Sequence, residues 1–325
     1  MKILCFYADE EVRERFQKEF SDIEFVKGVV QDLKEEDFEK FKEVEIITSF
    51  ISSLFTPEVI DKFPKLKMIA TRSTGIDHID LKYCQKKGIE VKNVPDYGSN
   101  TVAEHTFALL LAISRKVFYS YEKVQEDDSF SRRGMKDLRG FDLAGKTMGV
   151  IGTGKIGKNV ISIAKGFQMN ILAYDIYPDK TIENSCCRYV DIDKLLEEVD
   201  IISLHMPALP ETYHFIDQEK LEKMKDGIVL LNTARGNLID TKALMKYLEN
   251  GKVKAAGLDV LEYEDCLGRE TINPDPCLEK IKIINKKFIE MPNVIVTPHN
   301  GFNTQEALER IWNKTIENII NKNDY

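Results

Sequence analysis

No stretch of this 325-residue sequence approaches the ~18 consecutive apolar residues that a membrane helix requires, so no helical span is expected. Residues 1–8 are apolar for only six positions before Asp9-Glu10-Glu11. That is too short for the core of a secretory signal, and it reads as a first β-strand. Cysteine is sparse and unpatterned. The six (Cys5, Cys84, Cys186, Cys187, Cys266, Cys277) include no C-x-x-C and no zinc-like spacing, so no metal is expected. Adjacent Cys186 and Cys187 read as reduced, partly buried thiols. An excess of positive charge is also missing: the formal net charge of -8 removes the basic surface that nucleic acid needs. An anionic ligand must therefore meet locally placed cations rather than a general field. Repeats and low-complexity tracts are absent. These absences describe a cytoplasmic chain that binds neither membrane nor nucleic acid.

What is present suits a globular protein, with 43% hydrophobic and 31% charged residues. At roughly 150 residues per domain, the length suggests two domains. Short apolar runs alternate with amphipathic stretches. Strands are expected at 2–7, 45–50, 67–71 and 90–94, with helices at 9–20, 57–63 and 80–87, the last closed by Gly88. A second series has strands at 147–151, 170–174, 201–205, 227–232, 254–258 and 293–297. Helices fit at 156–167, 193–198, 218–224 and 241–250, with Gly251 as the closing residue. This alternation argues for parallel sheets with crossover helices, and six strands complete a dinucleotide-binding sheet. Between the series, Thr101-Val102-Ala103-Glu104 reads as a capping box that opens one long, mostly buried helix within 99–124. A charged, turn-rich stretch follows at 125–142. A last helix, 304–320, returns to the first domain. The expected division is a discontinuous substrate domain, 1–99 with 300–325, and a nucleotide domain, 100–299.

The strongest local signal is Gly152-Thr153-Gly154-Lys155-Ile156-Gly157, after a strand and before a helix. Gly152 permits the tight turn, Gly154 lets a pyrophosphate approach the backbone, and Gly157 lets the helix pack closely on the sheet. The helix N-terminus adds free N–H donors and partial positive charge. Asp175, 18 residues beyond Gly157, ends the next strand. It suits the ribose hydroxyls of NAD and repels the 2′-phosphate of NADP, and Ile176-Tyr177-Pro178 offers no compensating cation. Residues 152–158 also match G-x-x-x-x-G-K, the phosphate loop of nucleotide hydrolases. Asn159, however, stands where that motif needs a Mg²⁺-binding hydroxyl, and Asp175 has no role there.

Three residues past strand ends supply what hydride transfer to a 2-oxo acid requires. Arg235, in Asn232-Thr233-Ala234-Arg235-Gly236, offers a fork for a carboxylate. His299, in Thr297-Pro298-His299, is a proton donor suited to neutral pH. Glu264 offers a carboxylate that favours imidazolium and orients it. Each alone is more often a surface or loop residue; their joint occurrence behind a nucleotide loop changes the odds.

With these motifs in order, the chain resembles the D-isomer-specific 2-hydroxyacid dehydrogenases, and within them the bacterial D-lactate branch. The resemblance runs over essentially the whole chain. It is carried by Thr71-Arg72-Ser73-Thr74-Gly75-Ile76-Asp77-His78-Ile79-Asp80, Val94-Pro95-Asp96-Tyr97-Gly98-Ser99-Asn100, Val102-Ala103-Glu104-His105-Thr106, the glycine loop, Ser203-Leu204-His205-Met206-Pro207, and the segments around Arg235, Glu264 and His299.

The resemblance implies an α/β fold of two Rossmann-like doubly wound domains around a cleft, and a catalytic set of Arg235, Glu264 and His299. It implies backbone capture of the substrate carboxylate near Thr74 and Gly75, with Tyr97 near the substrate methyl and Phe50 and Phe302 as partners in a small apolar wall. Implied NAD contacts are Gly152, Gly154, Lys155, Ile156, Gly157, Asp175, His205, Met206, Pro207, Thr212, Thr233, Ala234 and Asp259. Domain closure and a homodimer built partly on the helix after Ser99 are also implied, as is a small 2-oxo or 2-hydroxy acid as substrate, pyruvate and D-lactate first. The 34 residues between Glu264 and His299 suit the longer insertion of the lactate branch. Two departures stand out: Ser73, where some lactate enzymes carry Asn, and Phe302-Asn303, where they often carry two aromatics. Hydroxypyruvate, glyoxylate or phosphoglycerate types, and an NADH-sensing corepressor, are the alternatives.

Overall fold

The computed structural model describes residues 1–126, 136, 138–264, 267 and 276–321. Much of the turn-rich stretch 125–142, Cys266 and the side chain of Cys277 lie outside the described residues. The chain divides into two compact units, Met1–Tyr97 with Asn303–Tyr325, and Gly98–Phe302. No helix among the described residues is long and apolar enough to cross a membrane.

The first unit is built on β1 (Ile3–Cys5), β2 (Ile23–Phe25), β3 (Ile46–Ser49), β4 (Met68–Thr71) and β5 (Glu90–Lys92). Their order is β2-β1-β3-β4-β5, and all neighbours are parallel. Strands β1, β3 and β4 are buried throughout, which explains their largely apolar character, broken only by the small hydroxyls Thr48, Ser49 and Thr71 at the C-terminal ends of β3 and β4. The helices α1 (Glu10–Glu19), α2 (Glu35–Lys40), α3 (Pro57–Asp61) and α4 (Leu81–Lys87) cross between strands. Gly88 ends α4 in the left-handed region at φ 69°. The C-terminal helix α12 (Gln305–Ile320) completes this unit against α1 and β4. Strand β2 and helix α2 escape the sequence pattern because neither buries a full face.

The second unit has seven parallel strands: β6 (Thr147–Ile151), β7 (Asn170–Tyr174), β8 (Cys187–Tyr189), β9 (Ile201–Leu204), β10 (Ile228–Asn232), β11 (Val253–Leu258) and β12 (Val294–Val296). Their order, β12-β11-β10-β9-β6-β7-β8, is the dinucleotide-binding arrangement with one added edge strand. One sheet face packs under α5 (Ser99–Arg115) and α7 (Lys155–Gly166) through Phe107, Leu110, Val160 and Ala164. The other packs under α8 (Ile192–Glu198), α9 (Gln218–Lys223), α10 (Thr241–Glu249) and α11 (Pro276–Glu290) through Leu195, Leu221, Leu244 and Phe288.

Several expectations need correction. The sheet has seven strands, not six, because β8 is three residues long with the charged Arg188 at its centre. The capping box does not form: α5 begins at Ser99 after Gly98, which leaves Thr101 buried inside the helix. The long helix is two helices. Lys116 turns left-handed at φ 50° and caps α5, and α6 (Val117–Glu126) starts anew with Val117, Phe118, Tyr119, Tyr121 and Val124 exposed. The adjacent thiols are not alike: Cys187 is buried and Cys186 exposed, both free.

Ile319, on α12, is fully buried. Ile319→Ala should cost about 2–4 kcal/mol. Trp312, the one tryptophan of the sequence, lies on the same helix. Its fluorescence in urea should show an earlier transition in the variant; an unchanged midpoint would contradict the packing of α12 into this unit.

Candidate active site

In the second unit the strand order reverses between β9 and β6, and ligands of such sheets lie beyond the strand C-termini there. Gly152 follows β6 at φ +92°, and a Cβ on it would stand 2.6 Å from the carbonyl carbon and oxygen of His205, which follows β9. A Cβ on Gly157 would stand 2.0 Å from the carbonyl oxygen of Gly152, so only glycine lets α7 approach this closely. Gly154 caps α7 without a side-chain bond, and nothing lies within 4 Å of where its Cβ would be. Lys155 and Ile156 form the first helical positions of α7, the end of a helix where backbone N–H groups have no intrahelical partner and anions are favoured.

Asp175 stands one residue past β7 and is half-buried. Its Oδ2 accepts from the Thr153 N–H at 2.6 Å and hydroxyl at 3.0 Å, and its Oδ1 accepts from the Tyr177 N–H at 2.9 Å. His205 Nε2 bonds with the Ser203 hydroxyl at 2.7 Å. Its Nδ1 is shut off from solvent and has no partner among the described residues. Burial pushes the His205 pKa down to about 3, so the ring is neutral at ordinary pH. Beyond it, the Thr212 hydroxyl accepts from the Leu209 N–H and donates to the Pro207 carbonyl, both at 2.7 Å, folding the loop after Met206.

Arg235, Glu264 and His299 follow β10, β11 and β12, three neighbours in the sheet. The Asn232 side chain braces the turn that carries Arg235: it donates to the Arg235 carbonyl at 2.8 Å and accepts from the Ala234 N–H at 3.1 Å. Thr233 is buried and shares a 2.9 Å hydroxyl contact with Thr106 of α5. His299 Nδ1 meets Glu264 Oε1 at 2.6 Å, with both side chains about a quarter exposed (25% and 28%). Glu264 Oε2 accepts from the Leu261 N–H at 2.9 Å, which fixes the carboxylate plane. With Nδ1 held, Nε2 is the ring nitrogen left for proton transfer.

The loop carrying His299 is held by Asp259. Its Oδ1 accepts from the Thr297 hydroxyl at 2.6 Å and the Asn300 N–H at 2.8 Å, and lies 3.2 Å from His105 Nε2. Its Oδ2 accepts from the Gly301 N–H at 2.8 Å. Both oxygens are thus engaged inside the protein, although the sequence placed Asp259 among cofactor contacts. Burial pushes the Asp259 carboxyl up, but the bonds from His105, Thr297, Asn300 and Gly301 outweigh it and hold the pKa below 3.8.

In the first unit, Thr74 and Gly75 follow β4. The Thr74 carbonyl accepts from the Asn93 amide, and the Gly75 carbonyl from the Ser73 hydroxyl, both at 2.7 Å. Because peptides are planar and trans, pinning these carbonyls also fixes the N–H groups of Gly75 and Ile76 on the opposite side. Tyr97 is nearly buried, and its carbonyl accepts from the Arg310 guanidinium at 2.6 Å. Phe50 stacks with Tyr7 at 6.4 Å.

Sequence reasoning missed Glu262. It is buried, and it accepts from Thr241 at 2.7 Å, His214 at 3.0 Å and Tyr213 at 3.2 Å. Burial and the nearby Glu262 charge push the Tyr213 hydroxyl pKa up. Its spacing from Glu264 gave no clue that it points into the fold.

Asp259 generates a pH prediction. A carboxyl that titrates lower when folded contributes stability that is complete above its unfolded value and is lost as pH falls through the folded one. Asp259→Asn should therefore lower the melting temperature at pH 7, and the deficit should shrink below about pH 4. Circular dichroism melts between pH 7 and pH 3 check this; a deficit of constant size across that range counts against it.

Comparisons with known proteins agree with this fold. The family model for the D-isomer specific 2-hydroxyacid dehydrogenase NAD binding domain matches residues 107–301. A 2-hydroxyacid dehydrogenase homolog of Haemophilus influenzae is 40% identical over 278 residues, covering 85% of this chain and 82% of the relative. Hydroxypyruvate reductase of Thermotoga maritima is 37% identical, covering 88% and 87%. Among solved structures, D-lactate dehydrogenase from Aquifex aeolicus, complexed with NAD and lactic acid, has a TM-score of 0.85 at 35% identity and covers 98% of this chain and 94% of its own. The cofactor is NAD. The crevice fits it: an uncapped helix N-terminus beside Gly154, a strand-end carboxylate at Asp175 and the unpartnered Nδ1 of His205 are groups a dinucleotide would engage. The chain belongs to the D-isomer specific 2-hydroxyacid dehydrogenases, a family of NAD-dependent oxidoreductases.

Proposed function

We propose that the protein interconverts a small 2-oxo acid and its D-2-hydroxy acid, with pyruvate and D-lactate as the preferred pair. The observation that carries this reading is the 2.6 Å contact between His299 Nδ1 and Glu264 Oε1, past the ends of β12 and β11, with Arg235 past the end of β10 beside them. NAD held at the glycine loop, Asp175 and His205 would, in its reduced form, supply the hydride for carbon 2 of the keto acid. Arg235 pairs with the substrate carboxylate and polarises the carbonyl. His299, as imidazolium, donates a proton from Nε2 to the carbonyl oxygen, and Glu264 stabilises that charged form. We assign the segment at Thr74 and Gly75 to the carboxylate through the backbone N–H groups that their pinned carbonyls orient, and Tyr97 with Phe50 to the substrate methyl. The lactic acid complex of the Aquifex relative supports a short side chain. We place the reaction in the cytoplasm.

His299→Gln should lower kcat for pyruvate reduction by about 10²- to 10⁴-fold. The NADH Kd should move by less than about twofold, because the lost interaction belongs to the transition state. Near-normal turnover in the variant would remove His299 from the proton-donor role. A panel of pyruvate, hydroxypyruvate and glyoxylate, followed by chiral analysis of the product, tests the substrate. Higher kcat/KM with hydroxypyruvate would favour the type of the Thermotoga relative. NADH binding without turnover on any 2-oxo acid would favour a sensor.

We further propose a homodimer in which a second copy covers α6. Five large apolar side chains on ten residues, with Tyr121 64% exposed, make a patch that a monomer rarely leaves in water. Phe118→Glu with Tyr121→Glu should halve the mass in sedimentation velocity. A monomeric wild type would defeat the idea.

A further inference from the structure

Strand β8 ends on Tyr189, whose hydroxyl lies 2.7 Å from the Thr153 hydroxyl inside the glycine loop. The directions in this cluster are determined by chemistry. A carboxylate oxygen only accepts, so the Thr153 hydroxyl proton goes to Asp175 Oδ2 at 3.0 Å. Thr153 Oγ1 can then only accept from Tyr189, and Tyr189 must donate. The Tyr189 oxygen in turn accepts from the Asp179 N–H at 3.1 Å. A one-way chain results: Asp179 N–H to Tyr189, Tyr189 to Thr153, Thr153 to Asp175. In such chains each bond polarises the next. The far end is anchored, because the Asp179 carboxylate is held by Lys158 Nζ at 2.5 Å and by the Thr181 hydroxyl at 2.7 Å.

We propose that Tyr189 is a positioning residue for cofactor choice: acting through Thr153, its hydroxyl fixes the Asp175 carboxylate and so favours a dinucleotide with a free ribose 2′-hydroxyl over one with a 2′-phosphate. The reasoning is geometric and rests on the NAD assignment. A ribose diol is best met by a carboxylate whose oxygens are already in place. A 2′-phosphate is tolerated only if that carboxylate swings aside. With Oδ2 held by Thr153 and Oδ1 by the Tyr177 N–H, swinging aside breaks three hydrogen bonds. Removing the tyrosine hydroxyl leaves the Thr153 hydroxyl without its donor and loosens the grip on Oδ2.

Tyr189→Phe and Thr153→Val each remove one link, and Thr153→Ser retains it. NADH and NADPH Kd values come from fluorescence titration, independent of turnover. Tyr189→Phe should raise the NADH Kd by about 5- to 20-fold, the size of one charge-assisted hydrogen bond. The NADPH Kd should stay within about twofold or fall, so the ratio between the two nucleotides collapses. Adding Tyr189→Phe to Thr153→Val should change nothing further, since the tyrosine acts through the threonine. Thr153→Ser should keep the wild-type ratio. Equal losses for both nucleotides, full additivity in the double variant, or no change in either Kd would each overturn the proposal. If Tyr189→Phe fails to fold by circular dichroism, the contrast between Thr153→Val and Thr153→Ser decides the matter by the same ratio. A wild type that binds neither nucleotide would overturn the NAD assignment itself, and this inference with it.

Discussion

The active-site geometry depends on one buried carboxylate. Asp259 is 2% exposed and receives bonds from Thr297, Asn300 and Gly301, with His105 of α5 beside it. A buried charge with fewer partners would be costly; with this many it is a rigid post. The loop it holds, 297–301, contains His299, whose own N–H donates to the Asp259 carbonyl at 2.8 Å. The imidazole is thus placed by its neighbours rather than by its own packing, and it remains a quarter exposed.

That post also offsets strain. His299 sits at φ 52° and Tyr263, just before Glu264, at φ 56°. Non-glycine residues there cost roughly 1–2 kcal/mol each. Hydrogen bonds to a charged group contribute about 1.5–3 kcal/mol apiece, so the Asp259 cluster outweighs the strain it imposes. Both halves of the His299–Glu264 pair therefore stand next to or on a disfavoured backbone conformation, as preorganised sites commonly do.

Legibility in the sequence followed how tightly chemistry constrains each position. The glycine loop was readable because close approach at Gly152 and Gly157 tolerates no Cβ. Strands β6, β10 and β11 were readable because burial forces long apolar runs. Strand β8 was not, since an edge strand of Cys187, Arg188 and Tyr189 carries no periodic signal, and Tyr189's role lies in a partner 36 residues away. The break at Lys116 was invisible because its left-handed turn is marked by no glycine or asparagine. The false capping box at Thr101 has the right residues, but Ser99 and Asn100 already continue the helix.

Glu262 and Glu264 show how environment divides roles between like residues. In an extended strand, residues two apart point to the same side. The left-handed turn at Tyr263 breaks that rule and separates the two carboxylates. Glu262 goes inward, where Thr241, His214 and Tyr213 satisfy it, and the Asn285 amide bonds its carbonyl. It ties α10, α11 and the loop before α9 to the strand end from which Glu264 projects. Glu264 stays partly in water and meets His299. On the proposed mechanism, the acid beside the imidazole must be aimed within a fraction of an ångström. The buried neighbour supplies the aim, and Glu264 keeps its other side toward water.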